Sequence, residues 1–275
     1  MTHLATYNVP LALIESYPNR RLIIRATDPW TVVQTLLPHH LDNLVALQLL
    51  DISAELEVLD GWYRGLPIEM VLQNPASDTM KLYRLCRLQR SHPVRVVLPI
   101  VAGFGNAARV ASFLHLPVKL EGTPPEPESM EEFSETLNFF LHNKAVSQPI
   151  DYFAGCLTAV LHKQPVTLWE LQEEDPSIVR YVTDDGVETI ARPPFIDLGA
   201  DLETFRFELT RRILEPEVEC ASCDFFLNCG GYFKWPNPDY SCVDVKQIFR
   251  RVREAAYELQ DDLSLYPNIP TEAAT

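Results

Sequence analysis

The chain has no block of basic residues. Its 23 Lys and Arg stand against 38 Asp and Glu, for a formal charge of −15. That leaves no electrostatic footprint for DNA or RNA, and anionic lipid would repel such a surface. Its apolar runs are too short to cross a bilayer. Nor does "MTHLATYNVPLALIESYPNRR" place a basic stretch ahead of a long apolar run, as a secretory signal would. The expectation is a cytoplasmic chain with neither nucleic acid nor membrane as a partner. Cysteine is also scarce, with six in 275 residues, and four of these lie in one stretch, "CASCDFFLNCGGYFKWPNPDYSC", residues 220–242. In a reducing compartment disulfides rarely act as staples, so a thiol cluster reads as metal-binding or catalytic.

Other properties are those of a folded protein. Hydrophobic residues make up 47% and charged residues 22%, a balance that excludes disorder. The length suits one large domain or two ordinary ones. "RLIIRAT" (21–27) reads as a strand, and Asp28 can cap a following helix that has Pro29 at its first position. "PIEMVLQN" (67–74) is a second strand, "DTMKLYRLCRLQR" (78–90) a helix, and "VRVVLPIVAG" (94–103) a buried strand. "NAARVASFLH" (106–115) and "PVKLEG" (117–122) continue the alternation as helix and strand, the pattern of parallel βα units. After a Pro-rich acidic loop come helices over 130–143, with Ser129 as the expected cap, and over 151–163. An Asp-Gly turn within 178–194 signals a hairpin. The closing helix carries Val245, Ile248, Phe249, Val252, Ala256, Leu259 and Leu263 on one side. Its Lys246, Arg250, Arg251 and Arg253 are expected to form a solvated face.

The cysteines are spaced Cys220-x2-Cys223-x5-Cys229-x12-Cys242. A C-x-x-C pair brings two sulfurs onto one metal from a single tight turn, and two later thiolates complete a tetrahedral set. Gly230-Gly231 permits positive φ and close backbone approach, while Pro236 and Pro238 stiffen the excursion back to Cys242. Zinc and iron–sulfur both accept four thiolates, and spacing does not separate them.

This segment resembles the C-terminal part of a SPASM domain, the auxiliary-cluster module of many radical SAM enzymes that modify peptides. The family pattern is C-x2-C-x5-C-x3-C, a gap, and a final Cys. The resemblance implies that Cys220, Cys223, Cys229 and Cys242 hold the second auxiliary [4Fe-4S] cluster. Phe233 stands where the family has its x3-C cysteine, which serves the other auxiliary cluster. "YVTDDGVETIARPPFIDLGADLETF" resembles the module's opening hairpin, again without its cysteine. Both departures remove the first auxiliary site and leave the second. The radical SAM signature C-x3-C-x2-C is absent; the remaining cysteines are Cys86 and Cys156. The resemblance spans residues 178–262.

The expected architecture is therefore α/β: a βα-repeat region (1–177), readable as a shrunken partial TIM-like barrel, followed by a small cysteine-rich SPASM-like domain (178–275) with a C-terminal helix. The expected role is that of an iron–sulfur accessory protein, not a stand-alone enzyme. It would bind a peptide substrate or a partner modifying enzyme in post-translational (RiPP-type) peptide maturation, its cluster structural or electron-relaying.

Two other readings stand beside this one. Zn2+ in place of the cluster would make a protein-interaction knuckle. "GFGNAA" (103–108) has the G-x-G-x-x-A form of a dinucleotide turn, so Gly103, Gly105 and Glu121 would serve a nucleotide-dependent oxidoreductase. His39-His40 reads as a surface loop with no ligand partner at suitable spacing. His115, His142 and His162 lie near helix C-termini, where capping suits them. Cys86 and Cys156 read as inert core thiols. Tyr232, Phe233, Trp235 and Tyr240 read as a shield around the thiolates.

Overall fold

Six extended stretches pair side by side in the order in which they occur: β1 (Thr6–Pro10), β2 (Arg21–Ala26), β3 (Leu44–Leu49), β4 (Ile68–Val71), β5 (Val94–Pro99) and β6 (Val118–Glu121). Every one of these pairings is parallel. β7 (Val179–Val182) adds to the free edge of β1, also parallel, and β8 (Glu188–Thr189) pairs antiparallel with β7. The result is a curled, mostly parallel half-barrel sheet accompanied by helices. This computed structural model describes residues 5–121, 125–190, 201–215, 218–235 and 237–265. Pro236 and part of the expected hairpin, residues 191–194, lie outside them.

Alternation along the strands sorts residues into two faces. Leu22, Ile24, Leu47, Leu49, Met70, Val96, Leu98 and Val118 are buried on the outer face. Helices α1 (Pro29–Thr35), α2 (Phe104–Phe113), α3 (Pro127–His142) and α4 (Asp151–Leu161) cover the barrel region, with Phe104, Phe133 and Phe153 buried among them. Phe133 lies 5.2 Å from the rings of both Tyr152 and Phe153. Truncating such a side chain typically costs about 3–5 kcal/mol. α5 (Phe205–Ile213) and α6 (Val243–Leu265) flank the cysteine segment, and α6 packs along α4.

Asp28 caps α1 as expected, accepting from the amides of Trp30 and Thr31 at 3.1 Å each. Other expectations are revised. β1 and β3 were not anticipated. Residues 79–84 form a 3-10 helix followed by a single α-turn, Leu85–Leu88, instead of one long α-helix. The reason is the spacing of Leu82, Leu85 and Leu88, which all point inward at a period of three, that of a 3-10 helix. Cys86 falls off that line and is exposed, so it is not a core thiol; Cys156 is buried. α3 begins at Pro127, which places Ser129 inside the helix and not at its cap. The strand β7 belongs to the main sheet, so the sheet continues across the boundary expected at residue 177. On α6 the apolar stripe packs through Ala256, whereas Leu259 and Leu263 are exposed because the helix runs past the body.

Candidate metal centre

The cysteine segment folds as a chain of tight turns. Cys220 sits in a 3-10 turn (Glu219–Ser222), Cys223 follows it, Cys229 ends a one-turn helix (Phe226–Cys229), and Cys242 precedes α6. The Cys242 carbonyl accepts from the Lys246 amide at 2.9 Å, which sets the sulfur-bearing residue at the positive end of a 23-residue helix. All four cysteines line one tight cavity with about 20 Å³ of free space. Phe225, Phe226, Phe233 and Phe249 form its apolar wall, with Phe225 stacked on Phe249 at 5.4 Å. All six cysteines of the chain are free thiols.

Gly230 and Gly231 are both left-handed, at φ 61° and 73°. This conformation turns the amides of Gly231, Tyr232 and Phe233 onto the Cys229 sulfur. Successive amides arranged in this way form a nest that favours an anion, here a thiolate. Gly231 has no room for a side chain, since a Cβ there would meet Ile213 Cδ1 at 1.9 Å. Burial nevertheless dominates the metal-free thiols, pushing Cys229 up to about 11 and Cys242 up to about 12. A metal that binds thiolate must displace those protons.

A tetrahedral zinc with Zn–S bonds of 2.3 Å holds its four sulfurs about 3.8 Å apart. Among the described residues no three of these thiols lie mutually within 4.8 Å in the metal-free chain. Four thiolates converging on one cavity suit either a zinc or a multi-iron cluster.

One wall of the cavity is charged. Lys234 is buried, and its ammonium donates to the Tyr240 carbonyl at 2.6 Å and lies 3.1 Å from Glu219. Lys246 pairs with the other oxygen of the same carboxylate. Lys246 therefore does not belong to a solvated face. Neither does Arg251, which donates to Ser134 of α3 at 2.6 Å, nor Arg253, which lies 4.7 Å over the Phe225 ring. Of the expected aromatic shield, Phe233 does line the cavity. Tyr232 and Trp235 instead pack on Trp169, at 5.0 and 5.9 Å, and tie the segment to the body. Trp169 Nε1 adds a bond to the Gly230 carbonyl at 3.0 Å.

A second polar constellation, not anticipated from sequence, lines the inner face of the half-barrel. Arg25 donates to Asn8 at 2.9 Å, Asn8 to Gln48 at 3.2 Å, and Gln48 to Glu69 at 2.6 Å. Glu69 pairs with Arg95, which also reaches Asp151 at 3.1 Å and Glu173 at 3.1 Å. Lys119 completes the layer on Glu173 and Glu121. Burial works against charge on Glu173, but Lys119 and Arg95 outweigh it and hold the carboxyl at about 2. Glu173 has φ 57°, a strained value for a residue with a side chain. Its neighbour Glu174 accepts from Tyr232 Oη at 2.8 Å, so this adjacent pair joins the charged layer to the cysteine lobe.

The glycine turn is brought into a different setting. Gly103 and Gly105 open α2, but their amides donate to Glu132 of α3 at 3.0 and 2.8 Å. A Cβ on Gly105 would meet Thr136 Oγ1 at 2.6 Å. A phosphate at this turn would have to displace Glu132, and Glu121 is already engaged by Lys119. His39 and His40 do acquire a partner, since Glu15 from the β1–β2 connection lies 3.1 Å from His40 Nε2. His40 Nδ1 accepts from the Leu37 amide, so the neutral ring carries its proton on Nε2, where it faces that carboxylate and not a metal.

No family model matches the chain, and no curated protein matches it. A solved structure, native anSMEcpe with bound AdoMet, shares the fold with a TM-score of 0.53, covering 92% of this chain and 88% of that one. The identity is 13%, so the likeness is one of architecture: a mixed α/β, partly TIM-like half-barrel.

Proposed function

We propose that Cys220, Cys223, Cys229 and Cys242 hold a [4Fe-4S] cluster in an accessory protein of peptide modification. The observation that carries this reading is one cavity lined by four free thiols, in the spacing that resembles an auxiliary-cluster module. The amide nest on Cys229 and the aromatic wall supply the hydrogen bonds and exclusion of water that tune and protect such clusters. When bound, the cluster would supply one-electron chemistry or structural cross-linking. The chain itself would orient it and keep water away.

The likeness to an AdoMet-bound structure is one of fold and is compatible with this reading. The sequence has no C-x3-C-x2-C motif. We therefore read it as a protein that binds a peptide or pairs with a modifying enzyme, with no catalytic residue of its own assigned.

Anaerobic purification followed by iron, sulfide and zinc analysis tests the metal. About four irons and four sulfides per chain, with broad visible absorption lost in Cys223→Ala, is the expected result. One zinc and a colourless protein would replace the cluster with an interaction knuckle. Co-purification with the peptides and enzymes encoded beside it tests the role; absence of any stable complex would rule out the accessory reading.

A further inference from the structure

We infer that Lys234, Lys246 and Glu219 form a charge clamp that raises the reduction potential of the cluster held by the four cysteines. This rests on the cluster reading above. The three side chains form part of the cavity wall itself.

The charge count is the first ground. Two ammonium groups share one carboxylate, +2 − 1, which leaves a surplus of one positive charge on the wall. In the half-barrel layer the balance has the opposite sign: four carboxylates (Glu69, Glu121, Asp151, Glu173) stand with three cations (Arg25, Arg95, Lys119). The chain as a whole carries −15. This positive surplus faces the four cysteines, whose thiolates, once they bind a metal, would be its negative partner.

Burial is the second ground. The Lys234 side chain is only 7% exposed. Sequestering an ammonium is unfavourable unless charge and hydrogen bonds compensate it, and here the Tyr240 carbonyl and a shared Glu219 carboxylate do so in part. A cluster with four thiolates carries net negative charge, which grows when it takes up an electron. Fixed ammonium groups in a site of low dielectric therefore stabilise the reduced form more than the oxidised form. Reduction of a bound cluster would add one electron from a low-potential donor and would make or break no bond.

The third ground is connectivity. Lys234 ties the loop carrying Tyr240 to the first turn of the site, and Lys246 ties α6 to the same turn. All three charges are thus fixed relative to Cys220 and Cys242.

The test compares anaerobically reconstituted full-length chains by redox titration with spectroscopic detection. Lys246→Met removes one positive charge and should shift the potential negative. Glu219→Gln removes the negative one and should shift it positive. Each change should alter the reduction equilibrium about tenfold, or about 59 mV for a one-electron couple. Lys246 is partly exposed, at 21%, so its replacement should leave the fold intact; Lys234→Met is the harsher variant and serves as a third point if it loads. Opposite shifts with unchanged iron content carry the inference, because damage to packing has no reason to reverse sign between the two variants. Unshifted potentials, or shifts of the same sign, overturn it while leaving the cluster in place. Wild-type protein that holds zinc and no iron overturns the cluster reading itself, and the clamp's redox role with it.

Discussion

Two polar assemblies lie in this molecule, and they are built on different terms. In the half-barrel, charges from β2, β4, β5 and β6 meet one another and Glu173, and positive and negative groups alternate through the layer. Its charged groups pair with one another, although carboxylates outnumber cations. In the cysteine lobe, four thiols gather on an aromatic-walled cavity beside a surplus of positive charge. Thiols are poor partners for one another, and burial favours their protonated form in the metal-free chain. The first assembly holds a fold together. The second has the donor set of a ligand site.

The largest expected effect breaks the first assembly. Lys119→Met leaves Glu173 with Arg95 alone in a buried layer and should cost about 3–5 kcal/mol, read from the denaturant midpoint. If iron per folded chain is unchanged, the two assemblies are energetically separate. If it falls, the Glu173–Glu174 link couples them.

The next effect belongs to the second assembly and depends on pH. Burial raises Cys229 to about 11 and Cys242 to about 12 in the folded, metal-free chain, from 9.0 when unperturbed. Above pH 9 the unfolded chain releases these protons while the folded chain retains them. Metal-free stability is therefore fully present below pH 9 and falls as pH rises towards 11 and 12. Cys229 alone accounts for at most about 1.4 kcal/mol per pH unit in that window. Thermal melts of metal-free and loaded protein should diverge there, and parallel curves would contradict the thiol burial.

Gly231→Ala is a smaller change. Its left-handed φ and the clash with Ile213 should together cost about 2 kcal/mol and reduce cluster loading, since the nest on Cys229 opens. The smallest effect concerns the turn that reads as a nucleotide site. Glu132→Gln weakens two charge-assisted bonds at the start of α2 and should cost about 1 kcal/mol by denaturation. Binding of a dinucleotide by this variant, where wild type binds none, would show that Glu132 had been occupying a phosphate position.

The cysteine site was legible because its information is local. The pair at 220 and 223, the glycines before Tyr232, and the return to Cys242 all lie within 23 residues, where turn geometry dominates. The charged layer was not legible. Asn8, Gln48, Glu69, Arg95 and Lys119 are single polar residues in otherwise apolar strands, and strand register alone brings them together. The same holds for the basic face of α6. Periodicity shows which side of a helix is apolar, but not that Lys246 will find Glu219 or that Arg251 will find Ser134.

By itself, then, the sequence determined the alternation of strands and helices, the cap at Asp28 and the four-thiol constellation, because each depends on residues a few positions apart. Tertiary structure decided the rest. It placed β7 beside β1, turned Glu132 into the anion at the start of α2, and set Lys234, Lys246 and Glu219 against the thiols. These outcomes depend on how distant segments dock, and docking is governed by buried area and charge pairing across the whole chain.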